Sequence, residues 1–207
     1  MSASKAVVYV VEDDPSFSKS LECLIEALGY EVIIFNTAQA FLGQSRIERP
    51  ACLLLDVQLP GMNGLNLQQA LVEKGSSLPI VFLTGHGDIP MSVQTMKKGA
   101  VDFLPKPVKA QDLHRAILES LKRDIQNLKV EREAQKSRSL VDTLTPREKE
   151  VFRWVITGKL NKQIADALGI AEKTIRIHRG RVMHKTKSTS VAQLISLAKK
   201  INIFPAA

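Results

Sequence analysis

Along the first hundred positions, apolar residues fall in short runs separated by longer amphipathic stretches. AVVYVV (6–11), VIIF (32–35), CLLLD (52–56), IVFLT (80–84) and VDFL (101–104) are almost continuously apolar, the pattern of strands covered on both faces. Phe17, Leu21, Leu24, Ile25 and Leu28 recur at helical spacing and predict a helix that Gly29 ends. Shorter helices are predicted over 37–43, 64–74 and 89–98. This β-α-β-α order predicts a doubly wound α/β domain: a five-stranded parallel sheet, right-handed crossovers and helices on both faces.

The period changes at Lys109. Leu113, Ile117, Leu121, Ile125 and Leu128 recur at steps of three or four, and no Gly or Pro interrupts residues 108–145. One long helix is expected to leave the first domain and become the linker, with a flexible linker as the alternative. Its second half, KVEREAQKSRS (129–139), is nearly all polar and is expected to be solvent-exposed or a dimer contact. An all-α segment follows. Thr145-Pro146-Arg147-Glu148 combines an N-cap, a proline at the first helical position and an acid in the first turn. That helix runs to about Thr157 and Gly158 stops it. Asn161 is expected to cap a second helix, 162–168, stopped by Gly169. A third covers 171–185 and a fourth 190–200. The tight turn Leu168-Gly169-Ile170 makes a helix-turn-helix. The resulting division is 1–122, a helical linker 123–140, and 141–207.

Charge sharpens this division. Of the net +8, residues 1–110 carry −2 and residues 141–207 carry +8, which marks the C-terminal segment as a candidate for a polyanion. Between Glu172 and Lys187 stand Lys173, Arg176, Arg179, Arg181, Lys185, Lys187, His178 and His184. Ile175 and Val182, with Met183, are placed inward; Arg176, Arg179 and Gly180 are placed outward. A basic second helix of a helix-turn-helix points to double-stranded DNA. No apolar run approaches bilayer length, and acids follow the first apolar run at once, so neither a membrane span nor a signal peptide is expected. Cys23 and Cys52 lie in apolar segments and are expected to be reduced core residues of a cytoplasmic protein.

In a doubly wound sheet, ligands bind beyond the carboxyl ends of the strands. There the sequence places Glu12-Asp13-Asp14, Asp56, Thr84 followed by Gly85-His86-Gly87, and Pro105-Lys106-Pro107. Clustered carboxylates need a cation, and an all-oxygen set suits Mg²⁺. With Lys106, the ion would draw a phosphoryl group to Asp56, a candidate nucleophile, with Thr84 hydrogen-bonding the attached group. A strand-end Asp is by itself commonly a cap or turn residue.

VVEDD, LLLDVQLPGMNG, FLTGHGDIPMSV and KKGAVDFLPKP resemble a two-component receiver domain of the flavodoxin-like fold over residues 1–122. The resemblance implies that Asp56 is the phosphoacceptor, that Asp13 and Asp56 bind Mg²⁺ directly and Glu12 through water, and that the Gln58 carbonyl supplies a backbone ligand. It makes Thr84 and Lys106 the family's hydroxyl and lysine, Phe103 the switch aromatic with Thr84, and Lys106-Pro107 a position usually cis. Glu12 and Asn63 stand where the family often has Asp. His86, beside the site, is read as a loop residue lining the cleft.

LTPREKEVFRWVITGKLNKQIADALGIAEKTIRIHRGRVMHK resembles the LuxR/NarL-type four-helix DNA-binding domain over 141–203. The resemblance makes 171–185 the recognition helix. Arg176, Ile177 and Gly180 take base-facing slots, and Lys162, Lys173, Thr174, His178, Arg179 and Lys185 fall among the DNA-contacting positions. Arg181 replaces a common Asn, Thr186 a usual Leu or Met, and Trp154 is assigned to the core. The pairing of both domains is closest to the FixJ-like branch, which includes regulators of oxygen-linked nitrogen fixation, styrene catabolism and tetrathionate respiration, with a lean to the last. It implies a sensor histidine kinase, DNA, a homodimer on activation and RNA polymerase as partners, and no enzymatic turnover beyond receiver self-chemistry. Two other readings stay open on the residues alone: a metal-dependent phosphatase using Asp56, and a DNA-binding protein whose first domain only dimerises.

Overall fold

The structure, a computed structural model, describes residues 6–85 and 99–203. The helix expected over 89–98 and His86 lie outside the described residues. Five parallel strands, β1 (Val7–Val11), β2 (Glu31–Phe35), β3 (Ala51–Asp56), β4 (Ile80–Thr84) and β5 (Asp102–Pro105), form one sheet in the order β2-β1-β3-β4-β5. The strand order reverses between β1 and β3, which places the carboxyl ends of those two strands at the topological switch point.

The central strands are buried on both faces, which explains their unbroken apolar character. Tyr9, Leu53, Leu55 and Phe82 pack with Phe41, Leu67 and Leu71, from α2 (Ala38–Leu42) and α3 (Gly64–Glu73). Val8, Val10, Leu54 and Leu83 pack with Leu21 and Ile25 of α1 (Pro15–Ala27) and with Leu113, Ile117 and Leu121 of the long helix. Cys52 is buried in this second cluster, whereas Cys23 is exposed, contrary to the expected core position: it lies off the Leu21/Ile25 stripe that α1 turns inward.

The long helix α4 is continuous over Ala110–Asp142, so the linker is helical rather than a flexible coil. The chain divides into two compact units, 1–128 and 129–207, and α4 begins in one and ends in the other. The polar stretch 129–139 is mostly exposed, but Ser137 is buried and Glu133 pairs with Lys200 at 2.9 Å within the second unit.

That unit adds α5 (Pro146–Val155), α6 (Asn161–Leu168), α7 (Glu172–Lys185) and α8 (Val191–Lys200). Its core is built from Val141, Leu144, Phe152, Ile164, Ile175, Val182 and Leu194 among others, with Trp154 packed partly buried against it. Thr145 and Glu148 form a reciprocal capping box that fixes the start of α5. The expectation that Asn161 caps the next helix is corrected. Leu160 holds the cap position and its N–H donates to the Gln163 side chain, while Asn161 is the first helical residue and accepts from Arg179 at 2.9 Å. Gly169 closes α6 with φ +64°, a left-handed conformation that favours glycine and makes the tight turn. Thr186 is buried, and its hydroxyl bonds back to the Val182 carbonyl at 2.8 Å, so a polar side chain ends α7 with its hydrogen bond satisfied.

No helix among the described residues is long and apolar enough to cross a membrane.

Candidate functional site

The strand ends deliver the predicted residues to one place. Glu12 follows β1, Asp56 closes β3, Thr84 closes β4 and Lys106 follows β5; the first three are buried. Carboxylate oxygens of Glu12, Asp13 and Asp56 all lie within 4.8 Å of one another. The Lys106 ammonium bridges two of them, at 2.7 Å from Glu12 Oε2 and 2.8 Å from Asp56 Oδ2, and sits 4.5 Å above the Phe17 ring. The other Asp56 oxygen, Oδ1, accepts the Gln58 N–H at 3.1 Å.

Burial raises the Glu12 carboxyl above its ordinary value; the Lys106 hydrogen bond opposes the shift and the nearby Asp56 charge adds to it. Burial alone would lower the Lys106 ammonium, but hydrogen bonds to Asp56 and Glu12, with their charges, outweigh it and raise the value. Three carboxylates against one ammonium leave an excess of negative charge. A divalent cation with all-oxygen coordination fits that excess, and the exposed Asp13 leaves the cluster open to solvent on one side.

Thr84 is buried at the end of β4, and its carbonyl accepts the Lys106 N–H at 2.7 Å. This bond ties the hydroxyl-bearing strand to the lysine-bearing loop, and the Lys106-Pro107 peptide is cis, as expected. Phe103 is half-buried, its ring 6.3 Å from that of Phe82.

Two contributions were not read from the sequence. Asp14 lies outside the acidic cluster and caps α1, accepting from the N–H groups of Ser16 and Phe17. Gly64 opens α3 directly beneath Asp56: a Cβ there would stand 2.2 Å from the Asp56 carbonyl oxygen, and its N–H donates to the Val57 carbonyl at 3.1 Å. The neighbouring glycine in PGMNG is a visible signal for a turn, not for this close return.

In the second unit, α6, the Gly169 turn and α7 form the helix-turn-helix. Lys173, Thr174, Arg176, Ile177, Gly180 and Arg181 are exposed on α7, as is Lys162 on α6; Ile175 and Val182 are buried as predicted, with Met183 half-buried. Two of the candidates are engaged within the protein and a third is half-buried. Arg179 donates to Asn161, His178 is half-buried, and the Lys185 ammonium lies 2.7 Å from buried Glu148 and 3.2 Å from the Thr143 carbonyl. The Lys185 hydrogen bond, then the Thr145 N–H, lower the Glu148 carboxyl below its ordinary value.

Comparison with known proteins follows the same division. Residues 8–118 match the response regulator receiver domain family, and residues 142–198 match the bacterial regulatory proteins of the luxR family. Nodulation protein W of Bradyrhizobium diazoefficiens is 44% identical over 97% of this chain and 88% of its own. The tetrathionate response regulatory protein of Salmonella typhimurium is 38% identical, covering 95% of this chain and 93% of its own. Among solved structures, the response regulator StyR is similar with a TM-score of 0.73 at 42% identity, covering 95% of this chain and all of that one.

Proposed function

The chain belongs to the two-component response regulators, with a receiver domain followed by a LuxR-type DNA-binding domain, and from that premise we propose that a sensor histidine kinase phosphorylates Asp56 and that the modified receiver promotes promoter binding through α7. A sensor kinase and DNA are the partners that this pair of domains implies, and the role that follows is transcriptional regulation.

The observation that carries the reading is the placement of the Asp56 oxygens. One faces the Lys106 ammonium and the other the Gln58 N–H, both groups suited to holding a charged nucleophile and the oxygens attached to it. In the proposed step an Asp56 oxygen bonds to phosphorus as the bond from phosphorus to the donor histidine nitrogen breaks. Bound Mg²⁺ would neutralise phosphoryl oxygens, with Asp13, Asp56 and the Gln58 carbonyl as ligands and Glu12 acting through water. Lys106 then pairs with the phosphoryl group and Thr84 hydrogen-bonds it. Phe103, on the neighbouring strand, turns inward as the hydroxyl moves.

That rearrangement biases a two-state receiver toward a homodimer. Moving it from 1:99 to 99:1 requires about 5.5 kcal/mol of differential stabilisation, and a partial shift coupled to dimerisation requires less. Two copies of α7 would meet half-sites about one helical turn, roughly 10 bp, apart. The bound dimer would act on RNA polymerase in the cytoplasm. Respiratory or catabolic genes are the proposed targets; the tetrathionate-type assignment rests on the stretch DIPMSVQTMKKGAVDFLPKPV.

Incubation with Mg²⁺ and acetyl phosphate, followed by mass measurement and promoter binding, tests the reading. A phosphoryl adduct and tighter DNA binding are expected, both lost in Asp56→Asn. Equal DNA affinity for the treated wild type and Asp56→Asn would overturn it.

A further inference from the structure

A cavity of about 300 Å³ opens in the first unit between α3, the connection from α3 to β4, Gly99 and α4. Its volume is at the small end of the range for small-molecule sites. Leu71, Leu78 and Ile80 are buried, whereas Val72 is 53% exposed, so the apolar lining runs from the core to the surface. The polar side comes largely from α4. Asn127 donates to the Ser77 carbonyl at 2.7 Å, and Arg49 reaches the Ser77 hydroxyl at 2.9 Å, so this side is held in place from within the protein. Arg123 is the one charged side chain among the described lining residues. It is exposed, and its guanidinium passes 3.9 Å from where a Cβ on Gly99 would stand. No acid among the described residues pairs with it, because its neighbour Asp124 is committed to Arg49 and the Ala51 N–H.

We propose that this cavity binds a small amphipathic carboxylate, with Arg123 taking the acid group and the wall of Leu71, Val72 and Ile80 taking a hydrocarbon tail. A guanidinium fork matches a carboxylate through two parallel hydrogen bonds. One cation balances a monoanion and leaves a phosphate dianion half-neutralised. An exposed ion pair contributes little by itself, so burial of the tail supplies most of the affinity. Ile80 opens β4 and Thr84 closes it, which puts the site at the other end of that strand from the phosphoryl chemistry. The first unit ends at Leu128, directly after Asn127. The bound acid therefore joins α3 to the last turn that α4 contributes to this unit, and gives the receiver a chemical input separate from Asp56.

The test titrates hexanoate, hexan-1-ol and acetate into the full chain, labelled with ¹⁵N and not phosphorylated, and follows the amide signals by NMR. Hexanoate is expected to move the signals of Val72, Ser76, Gly99 and Arg123 saturably, with half-saturation at about 1 mM, typical of so small a ligand. Hexan-1-ol, which keeps the tail without the charge, should bind about fivefold more weakly. Acetate, which keeps the charge without the tail, should lose at least about tenfold. Arg123→Gln changes an exposed side chain with no acid partner, so it should keep its unfolding temperature, bind hexanoate about fivefold more weakly and no longer prefer it to hexan-1-ol. Shifts that do not saturate, or that centre on the basic helix α7, would mark hexanoate as a nonspecific anion and overturn the proposal. Equal binding of hexanoate and hexan-1-ol by the wild type, equal binding of hexanoate and acetate, or undiminished hexanoate binding by Arg123→Gln would overturn it as well.

Discussion

The Lys106 ammonium lies 2.8 Å from Oδ2 of Asp56, and the same nitrogen lies 2.7 Å from Glu12. One cation from the loop after β5 thus joins the ends of β1 and β3. It also occupies the electrostatic role that a divalent ion would share, since both offset the same carboxylates. Lys106→Ala is therefore expected to act in two opposite directions. Without Mg²⁺ the variant should unfold at lower temperature, because Glu12 and Asp56 stay buried with no counter-charge. Its Mg²⁺ affinity should rise, because the cluster becomes more negative. Thermal unfolding across a Mg²⁺ titration reads both effects. A variant whose Mg²⁺ affinity fell would show that Lys106 instead helps organise the metal site.

Gly64 offers a sharper steric test. Its φ is unexceptional, so the constraint is space: the 2.2 Å approach to the Asp56 carbonyl leaves no room for a methyl group. Gly64→Ala is expected to cost about 1–3 kcal/mol, the range for overpacking. It should also slow adduct formation from acetyl phosphate by displacing the backbone that carries Asp56 and Gln58. Denaturant unfolding and the rate of mass gain check the two parts. Full stability with a normal rate would mean that the β3–α3 connection shifts freely.

These two residues show how far the sequence could be read. Asp56, Glu12, Asp13, Thr84 and Lys106 were legible because buried parallel strands announce themselves as apolar runs, and the polar residue ending each run falls at the ligand edge. Gly64 was not legible, since its closeness to Asp56 depends on the path of the turn rather than on any period. Lys185 was read as a DNA contact, although Glu148, 37 positions earlier, holds it at 2.7 Å. Asn161 looked like a cap because of its residue type, but the Gln163 side chain serves the Leu160 N–H and Arg179 takes up the Asn161 oxygen. Local signals placed the elements; partners distant in sequence decided which side chains were already engaged.

The Glu148–Lys185 pair predicts acid sensitivity in the second unit. The folded pKa of Glu148 is depressed below its ordinary 4.5, first by the Lys185 hydrogen bond. Its contribution to stability is therefore fully present above that value and lost as pH falls through the folded pKa. Calorimetry of the full chain between pH 6 and 3 should show the transition of the second unit falling on acidification. Glu148→Gln should be less stable at pH 6 and lose less stability toward pH 3. Parallel pH profiles for the two proteins would remove Glu148 from the account.

Asp124 anchors α4 at the start of β3, the far end of that strand from Asp56. It is fully buried, accepts hydrogen bonds from Arg49 Nε and Nη2, and takes the Ala51 N–H at 2.9 Å. Arg49 also reaches the Ser77 hydroxyl at 2.9 Å, so the guanidinium joins the approaches to β3 and β4 to the long helix. Asp124→Ala would remove the counter-charge of a mostly buried guanidinium and the acceptor of a strand N–H, and is expected to cost about 3–5 kcal/mol. Arg49→Met should cost a similar amount, because Asp124 stays fully buried with its charge offset only by the Ala51 N–H. The Arg49→Met/Asp124→Ala double variant should lose less than the sum of the singles, since neither charge is then buried without its counter-charge. Denaturant unfolding of all four proteins measures this coupling. Strictly additive losses would mean that the ion pair contributes nothing and that Asp124 holds α4 through the Ala51 N–H alone.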